Sequence, residues 1–176
     1  MSSERTEVQV RPGVESDLDA LTDIYNHYVR ETPITFDTAA FSPEERRPWL
    51  LSHPEDGPYR LKVAVDGIFQ GNSQRILGYA TSSPYRVKPA YSTSVEVTIY
   101  LAPDAGGRGI GTLLYKALFE SLETEDVHRA YAGIAQPNEA STRLHERFGF
   151  RYIGTHREVG RKFGRYWDVA WYEKEL

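Results

Sequence analysis

Four glycines occupy six consecutive positions between a β-like segment and an apolar segment with helical periodicity. They lie at 106–111, "GGRGIG", and the residues that follow read "TLLYKALFESL". Glycine loses much backbone entropy on folding, so such a cluster is expected where a turn is tight or another group approaches the backbone closely. The start of a helix also presents unpaired N–H groups and a partial positive charge. The stretch therefore predicts a strand–turn–helix unit, whose turn either binds a phosphate or is glycine-rich without a ligand.

The length and composition of the chain favour one domain. It has 176 residues, of which 40% are hydrophobic, and this suits one core better than two. Because the sequence contains no cysteine, disulfides, thiolate metal sites and cysteine nucleophiles are excluded. A formal net charge of −4 provides no general attraction to nucleic acids or anionic membranes. Residues 1–13 lack the apolar region of a signal peptide, and no later segment is long enough to span a bilayer, so we expect a cytoplasmic protein.

Helical periodicity predicts four helices. Residues 16–31 place apolar side chains on one helical face behind a candidate N-cap, Ser16. Residues 41–51 begin a second helix with a capping box formed by Ser42 and Glu45. Two further helices are predicted in the second half of the chain, over 110–123 and 138–150.

The other regular segments predict strands. They cover 59–67, 75–83, 95–103, 129–135, 151–159 and 165–176. The polar connection between the first two strands is predicted to be an exposed excursion. Since strands and helices alternate in the second half, residues 1–176 are predicted to form a single domain of mixed α and β structure, α/β or α+β.

The strand before the glycines contains a carboxylate among apolar residues. In "VEVTIYL", residues 95–101, strand alternation puts four apolar side chains on one face and Glu96, Thr98 and Tyr100 on the other. An unpaired charge is costly to bury in an interior strand. Glu96 is therefore a structural ion-pair partner, a side chain on an exposed face, or a general base that faces a cleft near the glycine turn.

Two common phosphate-binding motifs do not fit the glycine stretch. A Walker loop requires Lys and then Ser or Thr after its last glycine, whereas Gly111 is followed by Thr112 and Leu113. The dinucleotide-binding fingerprint requires a third glycine where this chain has Thr112 or Leu114. The spacing that remains is x-x-x-G-x-G, with Gly109 and Gly111 at the turn.

The glycine stretch and a later helix together resemble the GCN5-related N-acetyltransferase (GNAT) family, whose members transfer an acetyl group from acetyl-CoA to an amine. The family's pyrophosphate loop, Q/R-x-x-G-x-G/A, falls on 106–111, with Gly106 in place of Gln or Arg. The segment "QPNEASTRLHERFGF" is similar to the family's Asn-led helix that ends in Gly-Phe. The resemblance covers essentially the whole chain. It implies the GNAT fold, a single domain whose mixed, mostly antiparallel central sheet is splayed at the acetyl-CoA site and flanked by helices.

Four segments are similar to one branch of that family, the phosphinothricin and methionine sulfoximine acetyltransferases. They read "IYNHYVRETPITFDT", "VEVTIYL", "PNEASTRLHE" and "VGRKFGRYWDV", and the last is the most specific to the branch. The resemblance implies a homodimeric enzyme that uses acetyl-CoA to acetylate the α-amine of phosphinothricin, methionine sulfoximine or a similar small amino acid. The alternatives are acetylation of a protein N-terminus or another amine, and a CoA-binding module without catalysis.

The resemblance also assigns roles to individual residues. Glu96 becomes the base that deprotonates the amine, and a backbone N–H within 99–101 donates to the developing oxyanion. His145 stands where many family members have a tyrosine that acts as an acid, and it is either that acid or a structural histidine. Arg108 contacts a CoA phosphate or is free. The residues implied to hold acetyl-CoA are Ile99, Tyr100, Leu101, Gly107, Arg108, Gly109, Ile110, Gly111, Thr112 and Asn138.

Three residues are predicted to border the substrate, namely Phe36, Arg86 and Tyr91. Arg86 either pairs with a substrate carboxylate or phosphinate, for which charge-assisted bonds are strong, or is a solvated loop charge. The five histidines show no metal-ligand spacing, so no metal is predicted. The short basic run at 161–165 in an acidic chain predicts no nucleic-acid partner. The aromatic C-terminal strand is predicted to contribute to the core and to a dimer interface.

Overall fold

Seven strands form one mixed sheet in the computed structural model, which describes residues 7–67 and 74–176. The strand order is β1-β2-β3-β4-β5-β7-β6. The β4–β5 pair is parallel and the other five pairs are antiparallel, so the predicted mixed, mostly antiparallel sheet is confirmed. The strands are β1 (Glu7–Pro12), β2 (Leu61–Gly67), β3 (Ile76–Pro84), β4 (Ser94–Leu101), β5 (Arg129–Ala135), β6 (Arg151–Lys162) and β7 (Arg165–Glu175).

The helices cover both faces of the sheet. They are α1 (Leu18–Glu31), α2 (Pro43–Leu51), α3 (Ile110–Leu122) and α4 (Glu139–Arg147). Helix α1 lies on the face of β4 that carries Tyr100, because the rings of Tyr25 and Tyr28 are 5.4 and 5.1 Å from the ring of Tyr100. Helices α3 and α4 lie on the opposite face, where Gly111 is close to Ile99 and Leu144.

The core forms where these helices meet the apolar face of the sheet. Val95 and Val97 of β4 are buried, as their alternation predicts, and they share one core with Leu114 and Leu118 of α3. Burial of each such side chain contributes on the order of 1.5–3 kcal/mol relative to exposure. Burial of these side chains therefore stabilises the position of β4 between the two helical layers. Because Glu96 is part of β4, its backbone position is fixed as well.

The beginning of the chain differs from the sequence prediction in two ways. β1, which pairs along its length with β2, is an additional strand that was not predicted, because only Val8 and Val10 give it an apolar alternation. The predicted N-cap Ser16 is wrong, because the chain enters α1 through a short 3₁₀ turn. Asp17 closes this turn: its carboxylate accepts the N–H of Val14 at 2.9 Å and binds the guanidinium of Arg11 at 2.8 Å. An ion pair with β1, six residues earlier in the chain, thus helps to fix how the helix begins.

The capping box of α2 is confirmed. The Ser42 hydroxyl accepts the N–H of Glu45 at 3.2 Å, and the Glu45 carboxylate accepts the N–H of Ser42 at 2.7 Å. The excursion predicted between β2 and β3 lies mainly at 68–73, outside the described residues.

Candidate active site

The sheet divides immediately after Glu96. Strands β4 and β5 pair over three residues each, and the last pair joins Glu96 to Tyr131. Beyond this fork a cavity of about 340 Å³ opens between residues 97–101 of β4 and residues 132–135 of β5, with α3 and α4 in its wall. The splay that the sequence resemblance implied is therefore present, and Glu96 lies at its closed end.

The open part of β4 presents backbone donors to the cavity. Ala102, just after β4, donates its N–H to the carbonyl of Leu77 in the β3 direction at 2.8 Å. Since alternate residues of an antiparallel strand direct their N–H and C=O groups to opposite sides, those of Ile99 and Leu101 are directed towards the gap. The hydroxyl of Tyr28 donates to the carbonyl of Leu101, which satisfies that acceptor. The N–H groups of Ile99 and Leu101 can therefore bind an oxygen in the gap.

The glycine loop leaves the N-terminus of α3 uncovered. Gly107 and Gly109 have φ values of +76° and +73°, which residues other than glycine rarely adopt. Gly109 is the N-cap of α3, and a Cβ atom built at position 106, 107 or 109 would meet no atom within 4 Å. The loop therefore combines helix N–H groups with open space, which suits a phosphate.

Gly111 is a glycine for another reason. A Cβ atom at this position would lie 3.0 Å from Cδ2 of Leu144 and 3.6 Å from Cδ1 of Ile99. The close packing of α3 against α4 therefore disfavours a side chain here. The backbone of Gly111 lines the cavity.

Glu96 has the environment of a carboxylate that can accept a proton. It is half-buried, and burial raises the pKa of its carboxyl group, while the positive charge of Arg86 opposes that rise in pKa. Within the described part of the chain, no Lys, Arg or His nitrogen lies within 4.0 Å of this carboxylate, so the structural ion pair is not formed. Val97 and Thr98, which follow Glu96, line the cavity.

Comparison with known proteins assigns the chain to a family. A family model described as an acetyltransferase (GNAT) domain matches residues 11–171. The chain belongs to the GNAT acetyltransferase family. This confirms the family and the fold that the sequence resemblance implied, and it makes acetyl transfer the reaction class of the site.

Three relatives show how similar the chain is to characterised GNAT proteins. Phosphinothricin N-acetyltransferase of Streptomyces coelicolor is 78% identical over 170 residues, 97% of this chain and 97% of that protein. L-methionine sulfoximine/L-methionine sulfone acetyltransferase of Pseudomonas aeruginosa is 30% identical over 95% of this chain and 94% of that protein. A GNAT superfamily phosphinothricin acetyltransferase from Sinorhizobium meliloti, solved in complex with AcCoA, has a TM-score of 0.87 and 30% identity, over 96% of this chain and 88% of that one.

The residues predicted to hold acetyl-CoA divide into two groups within this GNAT fold. Those that line the cavity are Ile99, Tyr100, Leu101, Gly111 and Asn138. Those that lie beside it in the loop and first turn of α3 are Gly107, Arg108, Gly109, Ile110 and Thr112. Asn138 is also the N-cap of α4, since its side-chain oxygen accepts the N–H of Ser141 at 3.2 Å.

Two residues of the second group have structural partners. The Ile110 side chain is buried in the core, so its backbone N–H is the part that can reach a ligand. Arg108 binds the carboxylate of Asp66 at 3.2 Å, which is neither of the two roles that its sequence position left open. A phosphate ligand would compete with this exposed ion pair.

His145 is buried in the wall of the cavity, with 3% of its surface exposed. Its Nδ1 is 2.7 Å from the carbonyl of Ser141, and its Nε2 is 2.7 Å from the hydroxyl of Tyr115. A carbonyl only accepts, so Nδ1 donates and Nε2 accepts the Tyr115 proton when the ring is neutral. Burial lowers the pKa of His145, which favours this neutral ring. Tyr115, which also lines the cavity, was missed because nothing local in the sequence links residues thirty positions apart.

The lowered pKa of His145 predicts a contribution to acid lability. The pKa in the folded protein is below the unfolded value, so the neutral ring stabilises the fold above about pH 6.5, and this stability is lost as the pH falls from there towards the folded pKa. We expect urea unfolding to show a smaller loss of stability between neutral pH and about pH 5.5 in His145→Gln than in the wild type. The exposed His128→Gln is the control; an unchanged pH dependence in His145→Gln would contradict the prediction.

Two of the predicted substrate residues lie in the loop between β3 and β4. Arg86 and Tyr91 are exposed and meet at Tyr85, where the Arg86 guanidinium stacks 4.2 Å from the Tyr85 ring and Tyr91 makes an edge contact at 5.8 Å. Tyr85 in turn stacks on Tyr131 at 4.4 Å. Because Tyr131 pairs with Glu96 at the fork, the loop lies at the end of the site where the base is predicted.

Phe36 lies against the β6–β7 hairpin. A Cβ atom built at Gly160 would clash with the Phe36 ring, since it would lie 2.2 Å from Cε2. Lys162 of the same strand is 5% exposed and donates to the carbonyl of Thr35 at 2.8 Å. Thus the run at 161–165, interpreted as a short basic stretch, contains a buried lysine that anchors the connection between α1 and α2.

A second cavity, of about 270 Å³, lies on the α1–α2 face of the sheet and was not predicted. Arg46 of α2 reaches into it, and its guanidinium lies between the rings of Tyr25 and Trp49, 4.1 and 4.0 Å from their centres. In "PEERRPW" the two arginines are equivalent by sequence pattern, so no local signal distinguishes Arg46 from Arg47.

Over 7–67 and 74–176, no group of three or more His, Asp or Glu side chains is arranged to hold a metal ion. No helix in these ranges has the length and hydrophobicity to cross a bilayer.

Proposed function

We propose that this GNAT protein uses acetyl-CoA to acetylate the α-amine of a small amino acid or amino-acid analogue, with phosphinothricin and methionine sulfoximine as the leading candidates. The observation that carries the proposal is the position of Glu96 at the fork of the sheet. It lies beside the gap towards which the backbone N–H groups of Ile99 and Leu101 are directed. A base and an oxyanion site on one strand are what amine acetylation requires.

Each step of the reaction has a chemical group in this arrangement. Acetyl-CoA supplies the acetyl group as a thioester. Glu96 accepts a proton from the substrate ammonium, directly or through a water, and the amine nitrogen then bonds to the acetyl carbon. The N–H groups of Ile99 and Leu101 donate to the acetyl oxygen as it gains charge. The C–S bond then breaks, the nitrogen releases its second proton to water as the amide forms, and the Tyr115–His145 pair or water supplies the proton that the CoA thiolate takes up.

The cavity and the glycine loop support the binding of acetyl-CoA. The uncovered N-terminus of α3 would hold the pyrophosphate, and Asn138, at the cavity wall, would contact the pantetheine arm. The 340 Å³ gap in the sheet would admit the thioester. The AcCoA complex of the S. meliloti relative, which covers 96% of this chain, supports the same assignment.

The names of the relatives support the substrate class. Proteins 78% and 30% identical to this chain act on phosphinothricin and on methionine sulfoximine or sulfone, which are amino-acid analogues with polar side-chain groups. Acetylation of a protein N-terminus or of another amine is the alternative. A panel of phosphinothricin, methionine sulfoximine, their amides, a short peptide and a polyamine, assayed by release of free CoA, tests the proposal. Turnover of the peptide or polyamine alone would overturn it.

The assembly and context of the enzyme are part of the proposal. Residues 1–176 would form one catalytic domain in a cytoplasmic homodimer. The β6–β7 hairpin supports a dimer, because it exposes the large apolar side chains Tyr152, Ile153, Val159, Phe163 and Tyr166. With a net charge of −4, a small amine is the proposed partner rather than nucleic acid or a membrane. Sedimentation at a monomer mass would exclude the dimer.

The charge of Arg86 is expected to tune the base. Because Arg86 lowers the pKa of Glu96, the Arg86→Ala variant should move the acid limb of the kcat/KM profile to higher pH. If Arg86 also binds the α-carboxylate, kcat/KM for the free amino acid should fall about ten-fold relative to its amide. Lys88→Ala, an exposed lysine in the same loop, is the control. An unmoved acid limb would show that Arg86 does not act on Glu96.

A further inference from the structure

The second cavity contains two buried hydrogen-bond donors without partners. Arg46 is 6% exposed and its Nη1 has no hydrogen-bond partner in the structure. Tyr79 is 1% exposed, and its hydroxyl makes no well-formed hydrogen bond but interacts electrostatically with the Arg46 guanidinium. Both residues line the cavity of about 270 Å³ on the α1–α2 face. The ring of Trp49 joins them, 4.0 Å from the guanidinium and 5.5 Å from the Tyr79 ring.

Burial of these two donors without hydrogen-bond partners destabilises the fold of the protein without a ligand. Buried polar groups are nearly always hydrogen-bonded, and a buried cation normally has an anionic partner. The carboxylates that border the cavity are engaged elsewhere: Asp37 accepts the Tyr25 hydroxyl, and Glu45 caps α2. No carboxylate in the described ranges lies within 4.0 Å of Arg46. The cavity therefore contains a guanidinium and a hydroxyl whose donors the carboxylates of the chain do not engage.

The cavity adjoins the proposed reaction site. Thr98 and Tyr100 of β4 line both this cavity and the 340 Å³ gap. Glu96 lies on the same face of β4 as Thr98, two residues or about 6–7 Å along the strand. A short amino acid whose amine is near Glu96 can therefore extend its side chain towards the second cavity.

The geometry points to Arg46 and Tyr79 as the site that binds the acidic side-chain group of the substrate, an inference that rests on the proposed function. The guanidinium offers parallel N–H groups that match the two oxygens of a phosphinate or carboxylate, and the Tyr79 hydroxyl donates a further bond. Arg86, at the other end of Glu96, would take the α-carboxylate next to the amine. Of the two leading candidates, the enzyme would then prefer phosphinothricin, whose side chain carries a second oxyanion, to methionine sulfoximine, whose side chain is uncharged.

A structural role for Arg46 is the competing explanation, because its guanidinium links α1 to α2 through the rings of Tyr25 and Trp49. The two roles differ in what Tyr79→Phe does. This change removes a hydroxyl that makes no well-formed hydrogen bond in the free protein, so it should change the unfolding midpoint little. Binding of a substrate oxyanion should nevertheless weaken.

The experiment compares kcat/KM for phosphinothricin with kcat/KM for methionine, which has the same α-amino acid group and a neutral side chain. Loss of one charge-assisted bond should lower this ratio about ten-fold in Tyr79→Phe, and loss of the cation about 100-fold in Arg46→Met. Arg47→Met is the matched control, since Arg47 is the next residue of α2 and pairs with Glu44 at 2.8 Å. We expect it to leave the ratio unchanged. An unchanged ratio in both folded site variants would overturn the inference.

A binding measurement separates this inference from the proposed function. Glutarate has two carboxylates and no amine, so its binding can be followed by calorimetry without any reaction. Wild-type protein should bind glutarate at millimolar concentration, and Tyr79→Phe and Arg46→Met should bind it about ten-fold and 100-fold more weakly. Binding of this kind without acetylation of any amine would overturn the proposed function alone. Acetylation without glutarate binding would overturn the oxyanion site alone.

Discussion

Glu96→Gln is expected to lower kcat by about 100-fold or more at neutral pH, because the amide keeps the shape of the side chain but cannot accept the proton of the substrate ammonium. Burial raises the pKa of the Glu96 carboxyl group, so the neutral amide should be tolerated in the fold. Glu96 does not line the 340 Å³ gap, and therefore the affinity for CoA should be nearly unchanged. Initial rates and calorimetric titration with CoA measure the two quantities separately.

The control for this prediction is Glu123→Gln, an exposed glutamate at the end of α3. It should have the kcat of the wild type. Raising the pH should partly restore the rate of Glu96→Gln, since more of the amine is then already unprotonated. A kcat near the wild-type value at neutral pH would show that Glu96 is a half-buried structural side chain and that another group is the base.

Gly109→Val is expected to weaken acetyl-CoA binding by about 100-fold in a protein that still folds. Position 109 has a φ of +73°, so valine adds backbone strain of about 1–2 kcal/mol. Its Cβ atom meets no protein atom within 4 Å, and its methyl groups therefore occupy the space in front of the α3 N-terminus where the pyrophosphate would lie. Calorimetry gives the affinity, and urea unfolding gives the stability.

Gly57→Val separates strain from crowding. Gly57 has a φ of +87° with no atom within 4 Å of a built Cβ, and it lies outside the glycine loop and both cavities. It should lose stability as Gly109→Val does and retain its affinity for acetyl-CoA. Gly111→Val would not serve, because its Cβ is 3.0 Å from Leu144 and disturbs the packing of α3 on α4. Equal CoA affinity in the wild type and folded Gly109→Val would remove the phosphate role of the loop.

Local sequence patterns were sufficient where neighbouring residues determine the structure. The capping box of Ser42 and Glu45 was predicted from residues three positions apart, because its hydrogen bonds are formed within one helical turn. The faces of β4 followed from its alternation, since side chains of a strand necessarily point to opposite sides. The glycine loop and Glu96 are close in sequence, so the base and the phosphate loop could be placed on one strand–turn–helix unit before the fold was known.

Contacts between distant segments determined the features that the sequence did not predict. Side-chain burial and hydrogen bonding at these contacts depend on tertiary packing, which no local pattern encodes. Arg46 and Arg47 are adjacent residues of the same type. The packing of α2 on α1 places the Arg46 guanidinium between two aromatic rings, whereas Arg47 forms surface ion pairs. His145 is held by Tyr115, thirty residues away, and Lys162 by the carbonyl of Thr35. The sequence by itself determined the family, the class of fold and the strand that carries Glu96. The tertiary structure alone decided which charged side chains are buried, since burial is a property of the packed elements and not of the residue.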